Sequence, residues 1–463
     1  MKTKLLLLIS VLFWGINSKG ANITVPGSFN SIQSAINAAS NGDTIIVSPG
    51  TYYENINFRG KNVVLTSWYY LNADINYIAS TIINGSNPAF DDTASCVIFN
   101  SWEDSTAVLQ GFTITGGTGT KWLDIHGAGI FREGGGILVE NSSPTIRHNL
   151  ITGNCLTNLN GVISTGGGGI RFGDGNPEIS NNVITSNQAR YGAGIVLNYT
   201  GCKIRNNLIV SNSGGADYYG GSAIWINNNM PSTPKIIENN TITNNFSSHT
   251  NGTGGILVWS AADVQMKNNI VYGNFPAMQL KTISSAPQVS FSNIQGGYAG
   301  TGNIDSDPLF TPTCYVLQSG STCIDAGDTD PVYNDKEAAG NPGNAQYPSS
   351  GTIINDMGAY GGPAVTMMPF VATTTNVNEI NNSNQITLYP NPASTYSEIR
   401  TDVTMDNASL SVYNSTGSLH YKQEAISGKE IEINTENWPA GIYFITLSGD
   451  SWHIYRGNLV ISW

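Results

Sequence analysis

Along most of the chain, short apolar strands alternate with asparagine-rich corners, and one three-part pattern keeps returning. Three copies are Gly-Gly-Gly-Ile-Arg-Phe (167–172) with Ile-Ser-Asn-Asn-Val-Ile-Thr-Ser-Asn (179–187), Gly-Ala-Gly-Ile-Val-Leu (192–197) with Ile-Arg-Asn-Asn-Leu-Ile-Val-Ser-Asn (204–212), and Gly-Gly-Ile-Leu-Val-Trp (254–259) with Met-Lys-Asn-Asn-Ile-Val-Tyr-Gly-Asn (266–274). A repeat of about 25 to 33 residues, built of short strands with no helix between them, predicts an all-β solenoid. Asn149, Asn182, Asn207, Asn240, Asn269 and Asn293 then stack in successive coils as one ladder, and Asn154, Asn187, Asn212, Asn245 and Asn274 as a second. Asparagine suits such corners because it tolerates the left-handed conformation and satisfies backbone groups locally. The ladders are structural.

Side chains of a strand alternate between the two faces. Superposing the glycine-led strands gives two inward columns, Ile137, Ile170, Ile195, Ile224, Ile256, Met278 and Val139, Phe172, Leu197, Ile226, Val258, Leu280. The outward columns are Leu138, Arg171, Val196, Trp225, Leu257, Gln279 and Glu140, Gly173, Asn198, Asn227, Trp259, Lys281. Before the first coil, Ile32, Ala35, Ile36 and Ala39 fall at helical spacing, with Asn30 and Gln33 as a capping box and Asn41-Gly42 as a stop. This helix is expected to plug the open end of the solenoid. Strands are expected at once over Thr44–Val47, Ile56–Phe58 and Val63–Thr66.

Residues 1–20 carry Lys2 and Lys4, an apolar run from Leu5 to Trp14 and small residues at Ser18 and Gly20, the pattern of a secretory signal peptide. No later run approaches eighteen apolar residues, so no membrane span is expected. The net charge of −12 argues against a nucleic-acid partner, since phosphate binding relies on Lys and Arg. A local basic cleft for an acidic polysaccharide is compatible with it. Of five cysteines, Cys314 and Cys323 flank one short stretch and are the pair expected to bond. Cys96, Cys155 and Cys202 read as buried thiols.

The helix-then-strand opening and the Ile-x-Asn-Asn-x-Ile repeats resemble the right-handed parallel β-helix proteins of the pectate-lyase-like superfamily, over roughly 21–310. That superfamily includes lyases, hydrolases, esterases and adhesins, so the resemblance implies fold and leaves activity open. The run Asp305-Ser306-Asp307-Pro308-Leu309-Phe310, Cys323 to Asp328 and Asp356 to Pro363 is similar to the segment closing many secreted bacterial β-helices, which implies a cap over 311–363. Residues 364–385 read as a Thr/Asn-rich linker. In 386–463, the landmarks Leu388-Tyr389-Pro390-Asn391-Pro392-Ala393, Leu410 to Gly417 and Pro439 to Ile445 resemble the type A C-terminal sorting domain of the Bacteroidetes type IX secretion system. The resemblance implies a small antiparallel β-sandwich, a secreted or cell-surface protein and the secretion machinery as partner. The basic tail of that family is reduced here to Arg456 followed by residues 457–463.

The outward face of the glycine-led sheet combines aromatic, charged and amide groups, the ingredients of a glycan site. Trp225, Trp259, Asn198, Asn227, Tyr218, Lys281 and His126 are its expected substrate-binding residues. The insertion Gly116–Gly135, with Lys121, Trp122, Asp124 and His126, is placed to wall one side. A lyase needs a cation on the uronate carboxylate and a base for the proton alpha to it; Arg171 and Arg190 suit these roles, with Tyr191 or Tyr218 as proton donor. A hydrolase needs two carboxylates astride the bond; Glu140 and Asp174 lie on adjacent coils, with Glu133 and Asp217 in reserve. Asp325, Asp328, Asp330 and Asp335 offer oxygen ligands for Ca2+, or form an ordinary acidic loop. No Ser-His-Asp pattern, zinc-ligand spacing or phosphate loop is present. The first expectation is a monomeric secreted polysaccharide lyase acting on an extracellular, uronate-containing glycan. A glycoside hydrolase, a non-catalytic adhesin or glycan-binding protein, and a structural spacer are the alternatives.

Overall fold

The computed structural model describes residues 20–228, 233–260, 263–312, 314–368, 386–414, 419–448 and 454–461. The expected leader and most of the expected linker lie outside the described residues. The chain divides into two compact units, 1–372 and 373–463.

The first unit is a solenoid of three parallel sheets. A ten-stranded sheet runs from Asn22–Val25 to Gln288–Ser290, a nine-stranded one from Gly50–Tyr52 to Asn293–Ile294, and an eight-stranded one from Ile56–Asn57 to Leu280–Thr282. Each coil contributes one strand to each sheet, so the apolar residue at the middle of every strand meets its equivalents above and below. In the eight-stranded sheet Ile137, Ile170, Ile195, Ile224 and Ile256 are in register, all fully buried. The last coil departs from the expected register: Ile256 pairs with Leu280, and Leu257 with Lys281. Met278 is 52% exposed, and Gln279 turns inward, where its Oε1 accepts from Asn274 N and Nδ2. A ladder that runs out of asparagines thus ends on the next amide within reach.

Both ladders form. Asn149, Asn182, Asn207 and Asn240 each donate, through backbone N and Nδ2, to the Oδ1 of the asparagine one coil on, at 3.0 to 3.1 Å. Asn269 closes the column on Ser292 Oγ, not on Asn293, whose amide bonds Ser306 O. The second ladder runs Asn154, Asn187, Asn212, Asn245, Asn274. These amides satisfy corner carbonyls that would otherwise be buried without donors.

The opening helix spans Ile32–Ala38 with Ser31, not Asn30, as its N-cap: Ser31 Oγ accepts from Ser34 N. Glu54 accepts from the next two free amides, Ile32 N and Gln33 N. Gln33 is drawn away from the cap, donating to Asn57 O and Asn37 Oδ1. Ile32, Ala35 and Ile36 belong to the main apolar core.

The segment after the last coil does more than close the end. Leu317, Cys323 and Met357 pack with Ile270, while residues 355–366 run back along the flank as a strap. Ala359, Tyr360, Val365 and Met368 cover Val183, Leu208 and Val210 on the outside of the nine-stranded sheet. Cys314 packs against that second cluster and Cys323 accepts from Asn293 Nδ2, so the expected disulfide between them is not formed.

The second unit has five antiparallel strands, Ile386–Tyr389, Tyr396–Tyr413, Leu419–Asn434, Gly441–Ser448 and Ile454–Ile461. Register shifts between Arg400 and Leu410 interrupt the pairing of the two long strands. Ile399, Leu410, Val412, Ile433 and Leu459 give the unit its own core.

Candidate functional site

Leu138, Arg171, Val196, Trp225 and Leu257 form one outward column, as the alternation requires. The face they make is not open. The insertion folds as an antiparallel hairpin, Gly119–Asp124 with Gly129–Glu133, and with the loops carrying Tyr191 and Tyr218 it roofs the sheet. Arg171 is 1% exposed and Trp225 7%.

Arg171 is engaged on all sides. Its Nε donates to Glu133 Oε2 at 3.1 Å, its Nη1 to Val139 O at 3.2 Å and to Glu140 Oε2, and its guanidinium lies 4.0 Å over the Trp122 ring. Glu133 also accepts from Tyr191 Oη at 2.5 Å and Trp122 Nε1 at 2.8 Å. Burial raises the Glu133 pKa, opposed by Arg171; burial and the Glu133 charge push that of Tyr191 well above the usual phenol range. The group is a buried brace tying hairpin to sheet. Arg171 and Tyr191 are buried, and Glu140, half-buried, is paired with Arg171, so the expected catalytic groups of this column hold one another.

Arg190 makes a bidentate pair with Asp217, at 2.6 and 2.7 Å, and Ser164 Oγ donates to the same carboxylate. The Arg190 hydrogen bond holds the Asp217 pKa down. Both are partly exposed.

Two edges of the roofed face remain accessible. On one, His126 Nε2 lies 3.0 Å from both Asp174 oxygens and its ring stacks on Tyr199 at 3.5 Å. Asn198 and Asn227 continue this edge, with Asn227 Nδ2 donating to Asn198 Oδ1 at 3.4 Å. Tyr199 escaped the sequence reading; extending the outward column by one residue gives Asn141, Asp174, Tyr199 and Asn228, all with φ between 45 and 52. At the other end, Trp259 packs against Tyr218 and Tyr219 at 5.9 and 5.7 Å, all three half-buried. Lys281 Nζ lies 4.8 Å from the Tyr219 ring and donates to Asn251 O at 2.5 Å. No carboxylate among the described residues pairs with it.

The acidic residues considered for Ca2+ do not converge. Asp328 pairs with Lys267 at 2.6 Å, Asp325 accepts from Thr352, Asp330 caps a short turn and Asp335 accepts from Asp356 N and Gly362 N. Among the described residues no three His, Cys, Asp or Glu side chains are placed to hold a metal ion, and no helix is long and apolar enough to cross a membrane.

Residues 16–230 match the family model of the right handed beta helix region, and 387–461 that of the secretion system C-terminal sorting domain. The chain is a right-handed β-helix protein with a secretion sorting domain. It is therefore exported, to the cell surface or beyond. No curated protein matches it. Among solved structures it is similar to a pectin methylesterase mutant in complex with a hexasaccharide, at 12% identity over 61% of this chain and 81% of that one, TM-score 0.32. It is also similar to a mutant PL6 family alginate lyase, at 12% identity over 65% of this chain and 56% of that one, TM-score 0.20. The β-helix supplies the surface described above, and the sorting domain supplies the route by which that surface reaches the outside.

Proposed function

We propose that the protein is a secreted carbohydrate-binding β-helix that holds an acidic extracellular polysaccharide against the Trp259, Tyr219 and Lys281 end of the roofed sheet. The observation that carries this reading is the Lys281 ammonium, which has no carboxylate partner among the described residues and lies over an aromatic ring beside a half-exposed tryptophan. Arg171 and Arg190 are neutralised by carboxylates of the chain itself, so among the described residues of this sheet Lys281 is the cation left for a uronate or sulfate. Aromatic rings offer stacking area to the apolar faces of pyranoses, and the ammonium supplies charge selectivity.

A second reading, a polysaccharide lyase working by β-elimination, is favoured by the His126 and Asp174 pair. A carboxylate on one ring nitrogen orients the imidazole and leaves the other nitrogen to remove the proton alpha to a uronate carboxylate. The full-length protein, tested on affinity gels and in solution with pectate, alginate, cellulose and xylan, separates the two. Retention with no rise in absorbance near 235 nm supports binding alone; a rise that His126→Ala removes supports the lyase. No retention on any gel and no new double bonds or reducing ends would defeat both.

A further inference from the structure

Trp225 sits in the middle of the outward column, and its indole N–H is buried with no acceptor among the described residues. Buried indole N–H groups ordinarily find a partner, and leaving such a donor unmade is unfavourable. The ring is bounded by Tyr191 at 5.0 Å, Tyr218 at 6.1 Å and Trp259 at 6.4 Å. Tyr191 is fixed through its hydroxyl to Glu133, whereas Tyr218 is half-buried and its side chain makes only ring contacts among the described residues.

The turn that carries Tyr218 is held in a strained conformation. Tyr218 and Tyr219 both lie in the left-handed region, φ 48 and 58, where bulky residues are rare and strained. Gly215 and Gly220, φ 80 and 81, bracket it and can take up a rotation. Asp217 latches it to Arg190 through a partly exposed, bidentate ion pair at 2.6 and 2.7 Å.

From this we infer that the 217–220 turn is a lid over a second sugar subsite, whose floor is the Trp225 ring and whose unsatisfied Nε1 donates to a hydroxyl or ring oxygen of a pyranose unit. The inference rests on the carbohydrate-binding reading and extends it by one sugar ring, continuous with the Trp259 platform. Opening the lid exchanges the Tyr218 ring for a sugar face and gives the indole its acceptor.

Indole N–H signals of the full chain labelled with 15N-tryptophan test it directly, since there are nine tryptophans and the Trp225 and Trp259 signals are identified by their loss in Trp225→Phe and Trp259→Phe. Hexamers of galacturonate, mannuronate, glucose and xylose are the probes. The expected result is that a hexamer moving the Trp259 signal also moves the Trp225 signal downfield. Movement of Trp259 alone would overturn the lid while leaving the binding reading intact; no movement with any hexamer would overturn both. Tyr218→Ala gives an assay that keeps Trp225 in place: one further indole N–H should gain solvent exchange and acrylamide access. Unchanged exchange and access in that variant would likewise overturn the lid.

Discussion

Asn206 and Asn207 are adjacent and face opposite ways. Asn207 points into the corner, where its Nδ2 donates to Asn240 Oδ1 at 3.0 Å; Asn206, at φ 51, points out and donates to Gly361 O at 2.6 Å and Ala359 O at 3.2 Å of the strap. The same division recurs in other coils. Asn181 donates to Ala364 O and Asn239 to Asp356 O, while Gly358 N donates to Asn268 O. The doublets at 181–182, 206–207, 239–240 and 268–269 thus join one coil to the next with the second residue and to the strap with the first.

The two residues should fail differently. Asn207→Leu strands buried carbonyls and should lower global stability by about 1–3 kcal/mol. Asn206→Gly keeps the left-handed backbone and loses only the strap bonds, for about 1 kcal/mol and a local effect. Thermal melting should register the first, and faster proteolysis within 323–368 the second. Equal melting midpoints for the two variants would contradict the division of labour.

Removing Arg171 should be costly although it lies outside the solenoid core. Arg171→Met leaves Glu133 buried and Glu140 half-buried without their cation, a loss of about 3–5 kcal/mol by urea unfolding. The folded-state Glu133 pKa is already raised by burial and rises further in the variant. A carboxyl raised on folding binds its proton more readily in the native state, so the variant should lose stability as pH climbs and recover part of it below the unfolded value. A loss that does not change with pH would show the carboxylates to be solvated.

The strap carries its own pH dependence. Burial pushes Asp335 up to about 8, with the Asp356 charge adding to it, and burial pushes Asp356 up to about 7. Both folded values exceed the ordinary 3.8, so their contribution is fully present below that pH and is lost as pH rises through 7 and 8. Amide exchange of 325–362 should therefore be slower at pH 5 than at pH 9 after correction for intrinsic rates. Asp335→Asn should flatten the difference.

The solenoid was legible because its signal repeats: every coil states the same apolar and asparagine positions, so the register from Ile137 to Ile256 follows from alternation alone. It failed at Met278, where the coil shortens and nothing in one copy announces that Gln279 will replace the next asparagine. The openness of the site was not legible. Arg171 and Trp225 lie on the expected face, but what covers them comes from the hairpin around Trp122 and Glu133 and from loops of other coils, contacts with no period. The strap was hidden for a related reason, since the Asn-Asn doublet shows two amides and not that they face apart.

Deleting 386–463 should leave the solenoid folded, because the two units have separate cores. The sorting domain directs export, so the truncated protein should accumulate inside its host. Surface labelling of intact cells checks this, and normal display would refute it.

The binding face makes the last prediction. Lys281 is partly buried and its ammonium is already held by Asn251 O and the Tyr219 ring, so little side-chain freedom remains to be lost when an anion binds. Lys281→Ala should weaken retention on pectate or alginate by about 1–2 kcal/mol and leave neutral glucans unaffected, because it removes charge and little stacking area. Trp259→Ala should weaken acidic and neutral glycans alike by about 1–2 kcal/mol through lost apolar contact. Raising salt from 0.05 to 0.5 M should reproduce the lysine effect in the wild type and not in Lys281→Ala, since screening acts only on the charge. Binding of the acidic gel that ignores both salt and Lys281 would place the recognising surface elsewhere, with the His126 and Asp174 edge, about four coils or roughly 19 Å away, next to be probed.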